Sequence, residues 1–356
     1  MGMLSNRSIR KRLRRSWRAW SGDLATRLPS ATELAQIPVE ISSDGKTPGA
    51  GSRPQRVVRD ALGRRYFFKS APPEQIAAEL LSFRIRSAGG RPCIPTAHRE
   101  LDLPGAGRTH GLIQPILEHR GGCLPLDTSR WTPIQIEAMQ QEYPWEWVLG
   151  NADTHLDQYL LLGEDHVPLN IDWDHSLLHL SAASPSRHDQ PSPAVVPIRN
   201  LLFSDYVKGR LRLGFWGMLV QARAIEKLDD EVIRSSFEHY RREREALGYA
   251  CSGDELARLQ ENVLRRKRGC AETFAAFAHN LRLERDEALR IGSTRRAMGE
   301  RVASAARDHW QRFAILHLHD AAVRPWLKAK RAASNVSAWL STRGPTSWLT
   351  RRRRDP

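Results

Sequence analysis

The sequence predicts an α+β protein in which a strand-rich first part is followed by a mainly helical second part. Residues 55–118 contain short runs of alternating apolar and polar residues separated by Gly, Pro and Asp, a pattern typical of antiparallel strands. From Leu201 onward, apolar residues recur at helical spacing. The expected helices cover about 201–226, 229–247, 253–284, 286–318 and 319–341. The chain has 356 residues, enough for one large or two medium-sized domains.

The composition is that of a folded protein with a strong positive charge. Hydrophobic residues make up 40% of the chain and charged residues 27%, and the formal net charge is +15. The sequence pI is about 10.3. Such a basic protein attracts partners that carry phosphate, namely a nucleotide, a nucleic acid or an anionic membrane surface. The composition alone does not choose among these three.

The cysteines argue against a zinc site and against a disulfide scaffold, because none of them shows CxxC spacing. They are Cys93, Cys123, Cys251 and Cys270. No apolar run reaches the roughly 18 residues of a membrane span, and the N-terminal residues lack the apolar segment of a signal peptide. We therefore expect a cytoplasmic protein.

Two neighbouring polar segments carry the chemistry of this chain. The first, residues 150–158, contains acids, amides and an imidazole, and the second, residues 170–175, contains two further acids. Between them, residues 159–162, a turn at 163–166 and residues 167–171 predict a β-hairpin that brings the two segments together. Carboxylate and amide oxygens at one mouth can hold a divalent metal against phosphate oxygens.

These segments resemble the catalytic and metal-binding segments of atypical kinases. The pattern is Asp153-x-His155-x-x-Gln158, followed by Ile-Asp-Trp-Asp-His at 171–175. It is similar to HipA-type protein kinases and to phosphoinositide 3/4-kinases. The resemblance covers roughly residues 45–178. It implies a two-lobed, protein-kinase-like fold, ATP and Mg²⁺ as cofactors, and transfer of the γ-phosphate to a hydroxyl group.

The resemblance also implies a role for each polar residue. Asp153 would be the catalytic aspartate that orients the acceptor hydroxyl. His155 would brace the same loop by hydrogen bonds rather than transfer protons. Asp172 would bind the metal, and Asp174 is a further acid that could assist. Gln158 stands where the family has a metal-binding Asn, and its amide oxygen lies one methylene further out. A displacement of about 1 Å can cost roughly a hundredfold in rate, so a pseudokinase that binds nucleotide without turnover stays open as the alternative.

The strand-rich part supplies a candidate lysine. A predicted hairpin over 55–69 ends on Lys69, and Pro72-Pro73 then opens a predicted helix that continues to about residue 85. By resemblance, Lys69 would bind the nucleotide phosphates and pair with an acid of that helix. Glu79 is the leading candidate for this acid, and Glu74 competes with it.

Two further stretches would contact the nucleotide. Before the hairpin, a Gly- and Ser-rich stretch containing Gly49, Gly51 and Ser52 could cover phosphates with backbone N–H groups, although a surface loop explains the same composition. The apolar run at 111–118 would be the last strand of the small lobe and the hinge, with adenine contacts around Gln114 and Ile116. A core strand would give the same run.

The remaining expectations concern the helix before the polar loop and the boundaries of the domains. Thr132 as N-cap and Pro133 in the first turn predict a helix that ends before Gly150. The lobes would span 37–118 and 119–330, and 331–356 would be a basic tail. Residues 1–36 form a basic amphipathic segment. Its helix either docks on the folded core through its Trp residues or lies on an anionic membrane or nucleic acid. The phosphate acceptor, a protein Ser/Thr, a lipid or a small molecule, stays open.

Overall fold

The structure is a computed structural model of the 356-residue chain. It describes residues 6–19, 28–42, 55–117, 124–151, 153–177, 180, 191 and 197–298. The chain divides into two units, Met1–Leu289 and Arg290–Pro356. Apart from the end of the last helix, every element below belongs to the first unit.

Two lists give the elements in chain order. The strands are β1 (Val39–Ile41), β2 (Gln55–Asp60), β3 (Arg65–Ser70), β4 (Ala97–Leu103), β5 (Gly107–Pro115), β6 (Tyr159–Leu162) and β7 (Val167–Asn170). The helices are α1 (Asn6–Ala19), α2 (Ala31–Gln36), α3 (Pro73–Ala88), α4 (Pro133–Leu149), α5 (Pro197–Val207), α6 (Trp216–Glu226), α7 (Asp230–Ala246), α8 (Gly253–Arg268) and α9 (Cys270–Met298).

The strands of the first lobe form one antiparallel sheet in the order β1-β2-β3-β5-β4. The predicted hairpin is confirmed as the β2–β3 pair. Its turn is closed by Asp60, whose Oδ1 accepts hydrogen bonds from the backbone N–H groups of Leu62 and Arg64. Together with the helices α4 to α9, this sheet confirms the α+β, two-lobed fold predicted from the sequence.

The alternation of side chains along β3 decides where Lys69 points. Tyr66 and Phe68 are buried on one face of the sheet, in a cluster that includes Leu34 of α2. The intervening position faces the opposite way, as every second residue of a strand does. Lys69 pairs in register with Leu112, which packs against α3 in another cluster. The alternation therefore turns Lys69 toward α3.

Helix α4 confirms the helix predicted before the polar loop. Thr132 is its N-cap and accepts a hydrogen bond from the backbone N–H of Gln135. The helix ends at Gly150, which has φ 66°. A Cβ there would lie 2.8 Å from Cγ of Leu180, so the turn into the polar loop requires a glycine on both conformational and steric grounds.

The core of the helical lobe surrounds α4. Tyr143 makes ring contacts with three phenylalanines, with centroids 5.2–5.6 Å apart. These are Phe203 of α5 and Phe274 and Phe277 of α9. Such tilted and edge-to-face pairs add to the free energy gained from burying the rings. The core thus fixes α4, and with it the start of the polar loop.

Helix α1 docks on the folded core, as one of the two sequence interpretations expected. Leu13 is fully buried against α4 and β7. Arg12 forms an ion pair with Asp165 in the β6–β7 turn, and Ser16 donates a hydrogen bond to the same carboxylate at 2.6 Å. The guanidinium of Arg91 lies 4.0 Å from the ring centroid of Trp17. The apolar face of α1 is therefore covered. No described helix is long and apolar enough to span a bilayer.

Three predictions about helices and strands need correction. The helix expected over 201–226 is broken between α5 and α6, because Gly209 and Phe215 adopt left-handed φ angles of 75° and 52°. The helix expected over 253–284 ends at Arg268, where Gly269 caps α8, and α9 runs through the expected break near residue 285. Elements α2, β1 and β4 were not predicted. In β4, charged residues obscure the alternation of apolar and polar side chains.

Other predictions fall outside the described residues. They concern Gly49, Gly51 and Ser52, the helices beyond residue 298, and the tail over 331–356. The proposed boundaries of the lobes stay predictions.

Candidate functional site

Lys69 lies among three carboxylates that come from distant parts of the chain. Its Nζ is 2.6 Å from Oδ1 of Asp172 and 2.9 Å from Oδ2 of Asp174. It is also 3.7 Å from Oε2 of Glu79 on α3. The two aspartates follow β7, and Asp172 is 103 positions beyond Lys69 in the sequence. The structure thus brings together four residues that were selected from the sequence.

The charges in this cluster depend on one another. Burial alone would lower the pKa of Lys69, but the carboxylates of Glu79, Asp172 and Asp174 outweigh it and raise this pKa, so the ammonium group stays charged. Burial raises the pKa of Glu79 to about 8, although Lys69 opposes this shift. The upward shift at Glu79 agrees with the longer of the three distances from Lys69. The two aspartates are the closer partners of Lys69, although Glu79 contributes the largest charge effect on its pKa.

The two aspartates differ in their environment. Burial raises the pKa of Asp172, and the charge of Asp174 adds to this effect, while Lys69 opposes it. Burial would also raise the pKa of Asp174, but Lys69 outweighs it and the pKa is lowered. The side chain of Asp172 is 27% exposed and that of Asp174 only 4%. Asp172 therefore presents the more accessible oxygen atoms of the pair.

Gln114 holds Glu79 in place, and the adenine contacts expected around Gln114 and Ile116 stay predictions. The side-chain N–H₂ of Gln114 donates to Oε1 of Glu79 at 2.7 Å and to Oγ1 of Thr96 at 3.0 Å. The backbone N–H of Ile116 donates to the carbonyl of Arg65. The expected adenine contacts would need other atoms of this stretch, because these groups already pair within the protein.

The choice between the two acids of α3 is also clear from the structure. Glu79 is buried beside Lys69, whereas Glu74 is exposed in the first turn of the helix. Glu79 is therefore the acid that the fold brings to Lys69.

The loop that carries Asp153 and His155 is more exposed than the lysine cluster. The side chain of Asp153 is 49% exposed, and its Oδ2 lies 3.6 Å from Nε2 of His175. The same nitrogen is 3.6 Å from Oδ1 of Asp174. The imidazole of His155 is 51% exposed, with Oδ2 of Asp157 3.9 Å away. The backbone N–H of His155 takes part in the hydrogen bonds of the loop. The side chain of His175 lies between Asp153 and Asp174.

Gln158 is buried and its amide is already engaged. Its Oε1 accepts a hydrogen bond from the backbone N–H of His155 at 3.2 Å, and its Nε2 donates to Oδ2 of Asp172 at 3.5 Å. If the amide of Gln158 were turned the other way, its N–H₂ group would face the backbone N–H of His155, and two donors would meet. The amide oxygen, its metal-binding atom, therefore faces the backbone. The role of Gln158 as a metal ligand stays a prediction, and its amide oxygen would have to share or give up this hydrogen bond to bind a cation.

The remaining donor set suits a single cation held by the two aspartates. Asp172 and Asp174 already converge on the ammonium group of Lys69, and Mg²⁺ is commonly held by one or two carboxylates together with phosphate oxygens. Among the described residues, no group of three or more His, Cys, Asp and Glu side chains is arranged to hold a metal. A metal here would thus depend on the aspartates and on oxygens from outside the protein.

The segment that carries the aspartates is fixed by its backbone and by Trp173. Asn170 Oδ1 accepts from the N–H of Asp172 at 3.0 Å, and Asn151 Nδ2 donates to the carbonyl of Asp172 at 3.3 Å. The guanidinium of Arg86 lies 3.8 Å from the ring centroid of Trp173. Arg86 belongs to α3, so this stacking connects the helix that carries Glu79 with the segment between the aspartates.

Glu142 of α4 holds the arginine that stacks on Trp173. Its carboxylate is buried and forms ion pairs with both Arg86 and Arg91. Reasoning from the sequence missed Arg86, Glu142 and Thr96, because nothing local marks them. It also assigned no role to Asn151, Asn170 and His175, although they lie in or beside the motif.

Among solved structures, the chain resembles kinases and phosphotransferases. It is 12% identical to the Helicobacter pylori proinflammatory kinase CtkA over 71% of this chain and 99% of that one, with a TM-score of 0.42. HipA from Shewanella oneidensis, solved with HipB and operator DNA, is 12% identical over 70% of this chain and 72% of that one, with a TM-score of 0.33.

A putative aminoglycoside phosphotransferase from Ralstonia eutropha is 12% identical over 74% of this chain and 98% of that one, with a TM-score of 0.27. At such low TM-scores the likeness itself carries no argument about this chain. No protein-family model matches the sequence, and no curated protein matches it either.

Proposed function

We propose that this chain is an ATP- and Mg²⁺-dependent phosphotransferase that transfers the γ-phosphate to a hydroxyl group. The observation that supports this proposal is the convergence of Lys69 on Glu79, Asp172 and Asp174 beside the half-exposed Asp153. A cation for the phosphates, a carboxylate pair for a metal and an accessible carboxylate for the acceptor are the parts that phosphoryl transfer needs.

Each residue then has a task that follows from its position. Lys69 exchanges its aspartate partners for nucleotide phosphates, and Asp172 and Asp174 are the residues that would hold Mg²⁺. When bound, this ion would neutralise phosphate oxygens. Asp153 orients the acceptor hydroxyl, and His175, 3.6 Å from both Asp153 and Asp174, keeps the two acids in a fixed relation. Positioning and charge neutralisation supply most of the catalysis.

The acceptor and the location of the protein belong to the same proposal. A protein Ser/Thr, a lipid headgroup and a small molecule all offer a hydroxyl that Asp153 could orient. The proposal includes a cytoplasmic location, because the scattered cysteines fit a reducing compartment. The basic residues of α1 would still be able to meet an anionic partner through the exposed Arg14 and Arg15, whereas the apolar face of this helix is taken by α4.

The test uses two acids of one loop. With γ-labelled ATP and Mg²⁺, wild-type protein should release or transfer labelled phosphate. Asp153→Asn should lower the rate by about 10²- to 10⁴-fold, the range for loss of a positioned acid or base. Asp157→Asn is the matched control, because Asp157 lies in the same loop and its side chain is 80% exposed; its rate should stay within about twofold of wild type. Equal rates in all three proteins would contradict the role of Asp153.

Gln158 favours a second candidate function, a nucleotide-binding protein without turnover. Its amide oxygen already accepts a hydrogen bond from the N–H of His155, which weakens its case as a metal ligand. This candidate predicts that ATP raises the melting temperature of the wild-type protein while no labelled product forms. Labelled product from the wild-type protein would exclude it.

A further inference from the structure

Two histidines face each other on the β4–β5 pair, away from the lysine cluster. His98 is opposite Leu112 and His110 is opposite Glu100, so the two histidines are diagonal neighbours on one face of the sheet. Nε2 of His98 lies 3.1 Å from Nδ1 of His110. The ring centroids are 5.3 Å apart. Two ring nitrogens thus point at the same small volume.

A carboxylate lies near the other nitrogen of each ring. Nδ1 of His98 is 3.6 Å from Oε2 of Glu243 on α7. Nε2 of His110 is 3.9 Å from Oε1 of Glu100, which also pairs with Arg108. Histidines that bind metals usually give their outer N–H to a carboxylate, which fixes the ring and makes the inner nitrogen a better ligand. Both rings have a carboxylate near the outer nitrogen, at 3.6 Å and 3.9 Å, close enough to form this hydrogen bond after a small shift of the side chains.

We propose that His98 and His110 form a binding site for a divalent transition-metal cation of the Zn²⁺, Ni²⁺ and Cu²⁺ class. Nitrogen ligands lie about 2.0–2.1 Å from Zn²⁺, so two of them on one tetrahedral ion are about 3.3 Å apart. The observed 3.1 Å needs only a small rotation of the rings. Water completes the coordination, since the side chains of His98 and His110 are 20% and 39% exposed.

The chemistry of this site separates it from the aspartate pair. Imidazole nitrogen suits Zn²⁺, Ni²⁺ and Cu²⁺, whereas Mg²⁺ prefers oxygen ligands. The site is independent of the proposed phosphotransferase activity, because none of its residues belongs to the lysine cluster. A bound ion would fix β4, the edge strand of the sheet, to β5, and through His98 and Glu243 it would strengthen the contact of this edge with α7.

Metal titration of the full chain, produced without a polyhistidine tag and stripped with chelator, tests the proposal. Ni²⁺ and Zn²⁺ should bind with one equivalent in calorimetry and raise the melting temperature. His98→Asn and His110→Asn should each remove this equivalent. His279→Asn, which changes an exposed histidine of α9, is the matched control and should bind as wild type does. Mg²⁺ should not compete.

Two further measurements keep the test decisive if a histidine variant unfolds. Glu243→Gln leaves both ligands in place and should weaken Ni²⁺ binding by about 10- to 100-fold, as expected for loss of a group that orients a ligand. Electron paramagnetic resonance of the Cu²⁺-loaded protein should show coupling to two imidazole nitrogens. The proposal is overturned if no equivalent binds, which leaves a hydrogen-bonded imidazole pair only, or if the His98→Asn/His110→Asn double variant binds as wild type does.

Discussion

The two halves of the candidate site differ in how firmly the fold holds them. The side chain of Lys69 is 12% exposed and lies within 3.7 Å of three carboxylates. The side chain of Asp153 is 49% exposed, and its Oδ2 lies 3.6 Å from Nε2 of His175. Folding therefore completes the half that would hold phosphates and metal. Asp153, which would meet the acceptor, keeps solvent-exposed oxygen atoms that an acceptor hydroxyl could contact.

The difference follows from the elements that carry each half. Lys69 lies on β3 and Glu79 on α3, and Ile76 and Leu80 of α3 pack on Leu112 of β5, the strand that pairs with β3. Asp153 lies in the loop that follows Gly150, between the end of α4 and β6. A charged side chain between two packed elements is removed from water and must be paired with an opposite charge, whereas a side chain in a surface loop stays hydrated. Substitutions in the buried half should therefore cost stability as well as activity, whereas substitution of Asp153 should cost activity with little loss of stability.

The largest expected loss of stability is for Lys69→Met. The substitution removes the positive charge from three carboxylates, two of which are almost fully buried. Breaking a buried ion pair by removing one partner costs about 3–5 kcal/mol, and protonation of the acids will recover part of it. Urea denaturation should show a fall of about 3 kcal/mol in the free energy of unfolding. Lys208→Met, at an exposed lysine, is the control, and equal falls in both variants would contradict this account.

A smaller loss is expected for Gly111→Ala in the strand beside Lys69. A Cβ at this position would lie 2.5 Å from the backbone carbonyl oxygen of Lys69 and 2.6 Å from Cζ of Phe68. Neither group can move far, so overpacking should cost about 1–3 kcal/mol. Gly253→Ala has nothing within 4 Å of the added methyl group and should change stability by less than about 0.5 kcal/mol. The two midpoints of denaturation give the comparison, and coincident midpoints would rule out the clash.

The smallest effect on stability is expected for Asp153→Asn. Its half-exposed side chain has no ion pair shorter than 3.6 Å among the described residues, so the free energy of unfolding should change by less than about 0.5 kcal/mol. The same variant should lose turnover in the assay with labelled ATP. If Asp153→Asn lost about as much stability as Lys69→Met, the fold would hold Asp153 as firmly as Lys69. The contrast between the two halves of the site would then be wrong.

Sequence patterns were sufficient for the parts of the fold that depend on neighbouring residues. The β2–β3 and β6–β7 hairpins and helix α4 follow from alternation, turn residues and a Thr-Pro start, and all three are confirmed. The breaks at Gly209 and Gly269 were missed, because the apolar spacing continues across them. A single glycine in a helical pattern is often tolerated, so its effect here depends on the packing around it.

The site shows a similar limit. The sequence selected Lys69, Glu79, Asp172 and Asp174, and the structure brings them together, although their roles stay predictions. It could not show that Gln114 is committed to Glu79, since these residues are 35 positions apart. Nor could it show which way the amide of Gln158 points, because that depends on the hydrogen bonds available in the folded loop.

Helix α1 has a consequence for any shortened form of this protein. Leu13 is fully buried on α4, with Ile9 and Trp17 packed beside it. Deleting the first 28 residues would expose an apolar groove along α4, the helix that leads to the loop of Asp153. It would also leave Asp165 without the arginine that pairs with it. Because of this exposed apolar surface, the truncated protein should self-associate more than the whole chain. The deletion removes none of the proposed catalytic side chains.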